Sequence, residues 1–185
     1  MKQITSSLII MLALCILGFA QAHDERKTLS QALDGGVRVV EGEMVPAAEA
    51  MPDEKYDFAP TNGEFKGVRT FAQQIKHVAA TNYMIGAAIL NEKPPLDTNG
   101  EKGPDSLKSK ADIVKFLKDS FAYAHKATAS VSDANGLEPI PNPFAKSKTT
   151  RVGLATVFAW HSFDHYGQIV EYLRMNGIVP PASRN

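Results

Sequence analysis

Four stretches of about twenty residues carry apolar side chains at three- and four-residue steps, and no stretch shows a convincing strand alternation. In the first, Lys27 to Met51, the residues Leu29, Leu33, Val40, Met44, Ala47 and Met51 share one face. Gly35-Gly36 and Pro46 weaken that helix and predict a bend, and Pro52 stops it. The second, Val68 to Leu90, aligns Phe71, Ile75, Val78, Asn82, Ile85 and Ile89. The third, Lys110 to Val131, aligns Ile113, Phe116, Leu117, Ala124 and Val131, with Ser109 as its cap and Asp112 in its first turn. The fourth starts at Thr149 or Thr150 and runs to Asn176, where Gly177 ends it and Pro180-Pro181 prevents resumption. Four amphipathic helices of this length predict an all-α fold, a four-helix bundle.

Between these segments lie a loop with Pro94-Pro95, Asn99-Gly100 and Gly103-Pro104, and a longer connection from Ser132 to Lys148. Pro139, Pro141 and Pro143 favour an extended path through the second connection. A chain of 185 residues suits one domain. Its 20 Lys plus Arg balance 20 Asp plus Glu, so no basic excess is present to neutralise phosphates, and nucleic-acid binding is not expected.

The first residues are read as an export signal rather than as part of the fold. Lys2 precedes an apolar run from Leu8 to Phe19, short for a membrane span, and Ala20-Gln21-Ala22 supplies the small residues of a cleavage site; an uncleaved membrane anchor is the other reading. Residues 1–22 are expected to be a signal peptide cleaved after Ala22. That leaves a domain of residues 23–185 in the periplasm or outside the cell, with no membrane attachment. The single cysteine, Cys15, lies within that run, so the mature protein has no thiol and no disulfide.

Five histidines remain: His23, His77, His125, His161 and His165. On the fourth helix Leu154, Phe158, His161, His165, Gln168 and Tyr172 fall within about 80° of arc. Two imidazoles thus occupy an apolar stripe one turn apart. A buried polar group without a partner costs about 1–3 kcal/mol, and a shared metal ion would satisfy both rings. Two core histidines bonded to backbone or to Tyr and Gln side chains would also explain the placement. Gln168, one turn after His165, is a candidate catalytic residue that orients water or substrate; a helix-packing hydrogen bond is its other reading. Tyr172 is read as core. Periodicity alone puts His77 on the flank of the second helix, half-exposed, and His125 on the solvated side of the third beside Lys118. A second apolar face on the fourth helix, with Ala159, Phe163, Tyr166 and Val170, marks either a homodimer surface or cover by the first helix or the proline loop.

The stretch His161-Ser-Phe-Asp-His165-Tyr-Gly-Gln168-Ile-Val-Glu-Tyr172-Leu-Arg174-Met-Asn-Gly177-Ile-Val-Pro-Pro181 resembles the C-terminal signature of the DinB-like superfamily. Upstream, Ala50-Met-Pro-Asp-Glu-Lys-Tyr56-Asp-Phe58-Ala-Pro60-Thr61 and Val68-Arg-Thr-Phe71-Ala-Gln-Gln-Ile-Lys-His77-Val-Ala-Ala-Thr-Asn82-Tyr83 agree with it. The resemblance implies one divalent metal held by His77 from the second helix and by His161 and His165 from the fourth. Zinc or nickel suits three imidazoles best. Many relatives carry a further histidine directly before the last ligand. Here Asp164 stands there, either as an acceptor for an imidazole N–H or as a surface carboxylate, and Asn62 to Gly67 reads as a longer turn than the family's. Three nitrogen ligands leave a coordination position open, which suits chemistry on an unidentified small molecule. The expected function is a metal-dependent hydrolase or a thiol-transferase-like enzyme; the alternative is a non-catalytic, stress-related protein that binds metal or a small ligand.

Overall fold

The computed structural model describes residues 26–184, so the signal-peptide reading of residues 1–22, and His23 with it, lies outside the described residues. Four helices dominate: α1 Leu29–Ala50, α2 Phe71–Leu90, α3 Lys110–Ala129 and α4 Arg151–Met175. Each begins at a hydroxyl cap, Thr28, Thr70, Ser109 and Thr150, whose side chain accepts from a backbone N–H of the first turn. In α1 and α2 the cap is reciprocated by Gln31 and Gln73, which form capping boxes. These caps set α1 and α2 two to three residues inside the starts that periodicity suggests, because Thr28 and Thr70 adopt extended backbone. The first helix runs unbroken through Gly35-Gly36 and Pro46. No helix among the described residues is long and apolar enough to cross a membrane.

The all-α bundle carries one small addition. Pro139–Pro141 (β1) and Lys148–Thr150 (β2) pair as a short antiparallel hairpin within the connection read as merely extended. Strand periodicity could not show in three residues. Pro139 and Pro141 bring no N–H to the ladder, so Ile140 is the one donor on its strand, and its side chain is buried.

Cross-helix contacts give the directions. Asp34 and Glu41 of α1 reach His125 of α3, and Glu49 reaches Lys118, so these two helices run antiparallel. Asn82 of α2 bonds Ser120 of α3, and Glu92 just beyond α2 bonds Lys126, so α2 and α3 run parallel. Gln74 and the Arg69 carbonyl meet Gln168 and Tyr172, which makes α2 and α4 antiparallel. Around the bundle, α2 packs against α3 and α4, and so does α1 from the opposite side. The order is therefore up, down, down, up.

Two parallel neighbours cannot be joined by a tight turn. The segment 91–109 must return the length of α2, about 30 Å, and it does so lying against that helix. Gly103 makes the closest approach: with φ +73°, an added Cβ there would stand 3.0 Å from the Lys76 Cβ and 3.1 Å from the Lys76 carbonyl. Covered by α3, α4 and this crossover, α2 is buried on almost every side, which fits its many small residues. Gly86 lets α3 in; an added Cβ would sit 2.6 Å from the Tyr123 ring.

The second apolar face of α4 lies along α1. A Cβ on Gly36 would stand 3.5 Å from Ala159, and burial with Glu43 of α1 close by raises the Tyr166 pKa. The first helix thus covers part of this face, whose Ala159, Phe163, Tyr166 and Val170 stay half-buried.

Candidate metal centre

His77 sits in the second turn of α2; His161 and His165 sit one turn apart in mid-α4. The antiparallel contact of the two helices brings all three together, with one potential ligand atom from each lying within 4.8 Å of the others. His77 and His165 are buried and His161 is partly so. The half-exposed placement that periodicity gives His77 is corrected to 4% exposure, because the crossover covers the flank of α2 that periodicity leaves open.

Hydrogen bonds fix which nitrogens face inward. His77 Nδ1–H donates to the Glu101 carbonyl at 2.7 Å, which leaves its Nε2 with a bare lone pair when the ring is neutral. On the other side His165 Nδ1–H donates to Gln74 Oε1 at 2.6 Å, so its Nε2 is bare too. A relay sets the second tautomer. The Asp164 carboxylate, an acceptor, takes the Gln168 amide N–H at 3.3 Å. That turns the Gln168 carbonyl towards Gln74, whose Nε2 donates to it at 2.8 Å. Gln74 then presents its own carbonyl to His165. Asp164 thus governs an imidazole nitrogen through two amides, although it is itself exposed and touches no histidine ring through this chain.

The Nε2 atoms of His77 and His161 are 3.1 Å apart. Two nitrogens bound tetrahedrally to one zinc ion at its usual bond length stand about 3.3 Å apart. An N–H···N hydrogen bond between these two rings would fit the same distance but would leave the free Nε2 of His165 out of it. A cation uses all three lone pairs. The donor set, three neutral imidazoles, fits a divalent ion of the zinc or nickel type. Buried His161 Nδ1 has no partner in the structure.

Electrostatics keep the rings neutral. Burial lowers the pKa of His77, pushes His161 down to about 4 and pushes His165 down to about 3, and the neighbouring rings and Arg69 add to the effect on the last two. A ring that stays neutral at pH 7 offers its lone pair without first losing a proton.

Of the residues singled out in the sequence, His77, His161 and His165 converge. Gln168 joins them through Gln74, and both ends of its amide are engaged. Tyr172 is core, with its hydroxyl donating to the Arg69 carbonyl at 2.9 Å. His125 is corrected: it is not solvated but half-buried, bonded to Asp34 on one nitrogen and at 2.9 Å to Glu41 on the other. Sequence reasoning missed Gln74 and Glu101. Gln74 could have been noticed as a polar residue one turn before His77; Glu101 had no signal, since only the path of the crossover puts it there.

The model of the DinB superfamily matches residues 38–169. The chain belongs to the DinB superfamily. Its solved structural relatives include YfiT from Bacillus subtilis, described as a probable metal-dependent hydrolase with an unusual four-helix bundle topology. The two superpose with a TM-score of 0.60 at 19% identity, over 83% of this chain and 92% of that one. No curated protein matches the sequence. As a DinB protein the chain shares the four-helix bundle, and the bundle carries a three-histidine group able to hold a divalent metal.

Proposed function

We propose that this DinB protein is a metal-dependent hydrolase whose single divalent ion is held by His77, His161 and His165. The observation that carries the reading is the convergence of three imidazoles from two helices, two of them with the outward nitrogen already committed to a protein acceptor. Such outer hydrogen bonds orient a ligand and raise its basicity. The description of YfiT as a probable metal-dependent hydrolase supports the reaction class. A zinc-type ion supplies Lewis acidity and makes water nucleophilic near neutral pH. Hydrolysis adds the water oxygen to the acyl carbon and delivers one proton to the departing oxygen or nitrogen. The chain's own part is to hold three rings neutral and aimed, with Gln168 acting as a positioning residue through Gln74. The Glu101 carboxylate, 4.0 Å from His77 Nδ1, lies on the side of that ring away from the other two histidines.

The test is metal analysis followed by turnover. About one equivalent of metal in the wild type, and little in His77→Ala, His161→Ala or His165→Ala, is expected. Ester and amide hydrolysis should vanish in His161→Ala. Tight metal binding with no turnover on either class would leave a binding protein instead.

Export is part of the proposal, supported by the Leu8–Phe19 run and Ala20-Gln21-Ala22. The exported protein should begin at His23; an N-terminus retaining Met1 in the final protein would remove this part.

A further inference from the structure

Two of the three candidate ligands have an outer acceptor, and the third does not. His77 Nδ1–H donates to the Glu101 carbonyl and His165 Nδ1–H to Gln74 Oε1, whereas His161 Nδ1 is buried with no hydrogen-bond partner. A buried polar atom left unpaired is costly. A second such atom lies on the same seam between α2 and α4. Thr81 is 2% exposed, and its Oγ1 has no partner either.

Helical register sets these two residues against each other. The contact of α2 with α4 is antiparallel, so one turn forward on α2 and one turn back on α4 move the same distance along the seam, about 6 Å. His77 and His165 face each other with ring centroids 4.6 Å apart. Four residues on from His77 is Thr81, and four back from His165 is His161. Thr81 therefore faces His161 as His77 faces His165. The other unpartnered buried side-chain atoms among the described residues, Asn82 Oδ1 and Ser162 Oγ, sit about 100° further round their helices. Asn82 already points to Ser120 of α3, away from the seam.

The chemistry of the ring explains why a hydroxyl stands there. His77 Nε2 is bare, so a hydrogen bond across its 3.1 Å contact with His161 Nε2 needs His161 in the Nε2–H form. With Nε2 engaged by a cation, the same neutral ring must carry its proton on Nδ1. The Nδ1 atom thus wants a donor in one state and an acceptor in the other. A carbonyl only accepts and an amide N–H only donates, but a hydroxyl does both.

We infer that Thr81 is the positioning residue of His161: its hydroxyl donates to the bare Nδ1 when the ring bonds His77, and accepts the Nδ1–H when Nε2 holds the ion. Between the two states the Nε2–H bond breaks and an Nδ1–H bond forms, with no net release of a proton. The inference rests on the metal reading of the three histidines and completes their outer partners.

Zinc affinity by chelator competition, with proton and nitrogen resonances of the 15N-labelled imidazoles, tests this without turnover. Thr81→Val replaces the hydroxyl by a methyl group of the same shape. It should lower zinc affinity roughly ten- to a hundredfold and move the His161 Nδ1–H signal of the zinc-loaded protein upfield. The Nδ1–H signals of His77 and His165 should stay in place, which reports an intact site. Thr81→Ser keeps the hydroxyl and should restore both readouts, and Ser162→Ala should change neither. A Thr81→Val protein with wild-type affinity and an unmoved His161 signal overturns the inference alone. Equal losses in Thr81→Val and Thr81→Ser with no movement of that signal also overturn it, since the side chain then only fills space. A wild type that binds no zinc sinks the metal reading and the inference together. Zinc bound and the His161 signal moved by Thr81→Val, in a protein that hydrolyses no ester or amide, uphold the role of Thr81 and sink only the hydrolase reading.

Discussion

Gln74 shows how much a single amide can govern. Its carbonyl accepts from His165 and its NH2 group donates to Gln168, so it joins the His165 ring to the Asp164 carboxylate. Removing a partner of this kind costs metal sites roughly ten- to a hundredfold in affinity. Gln74→Ala is expected to show that loss in a competition titration against a zinc chelator. Gln74→Glu keeps the acceptor for His165 and loses only the donor to Gln168, so its loss should be smaller. Equal losses in the two variants would mean that the amide fills space rather than orienting the ring. The sequence made the two candidate ligands of α4 legible because both fall on an apolar stripe, where an imidazole needs a reason. It could not do the same for His77. A flank residue is buried or exposed according to what lies over it, and the crossover that lies over it is remote in sequence.

At the scale of the element, α1 and α3 are joined by a charged bridge. His125 lies between Asp34 and Glu41, and Arg38 holds Asp34 from the same helix at 2.6 Å. Burial lowers the pKa of His125, but the hydrogen bonds that its ring N–H groups donate to Glu41 and Asp34 outweigh it, and the net shift is upward from 6.5. A raised histidine pKa stabilises the fold fully below the unfolded value, and the gain fades as pH climbs through the folded value. Thermal melts of wild type and His125→Gln should therefore differ most at pH 5 and least at pH 9. A gap that does not change with pH would mean the imidazole bridges as a neutral ring. In the metal-free protein the sign reverses for His161 and His165. Their lowered pKa values make the unfolded chain take up protons first, so they weaken the fold as pH drops below 6.5 towards their folded values of about 4 and about 3. Helix existence and type were readable from period and caps. The hairpin was not, because three residues between prolines carry no period. The acid pair facing His125 was not either, because α3 read alone contains no information about α1.

On the scale of the whole molecule, the arrangement up, down, down, up separates sequence neighbours. The helices α1 and α2 both pack between α3 and α4 from opposite sides, and α2 and α3, which pack directly, are connected along the chain by the crossover. A bundle could be expected from four amphipathic segments, but its order around the axis could not, since several orders bury the same stripes. Parallel packing of α2 and α3 makes the crossover long, and its length lets it reach back along α2 to His77.

That routing also bears on how the molecule is made. No pair of helices here can dock as a simple hairpin, and the ring contacts of His77 in the candidate centre join it to residues more than eighty positions away. Contacts so remote in sequence carry a high entropic toll for loop closure and slow the search. The three-histidine group is therefore complete only once the last helix has been placed, an outcome of folding rather than its seed.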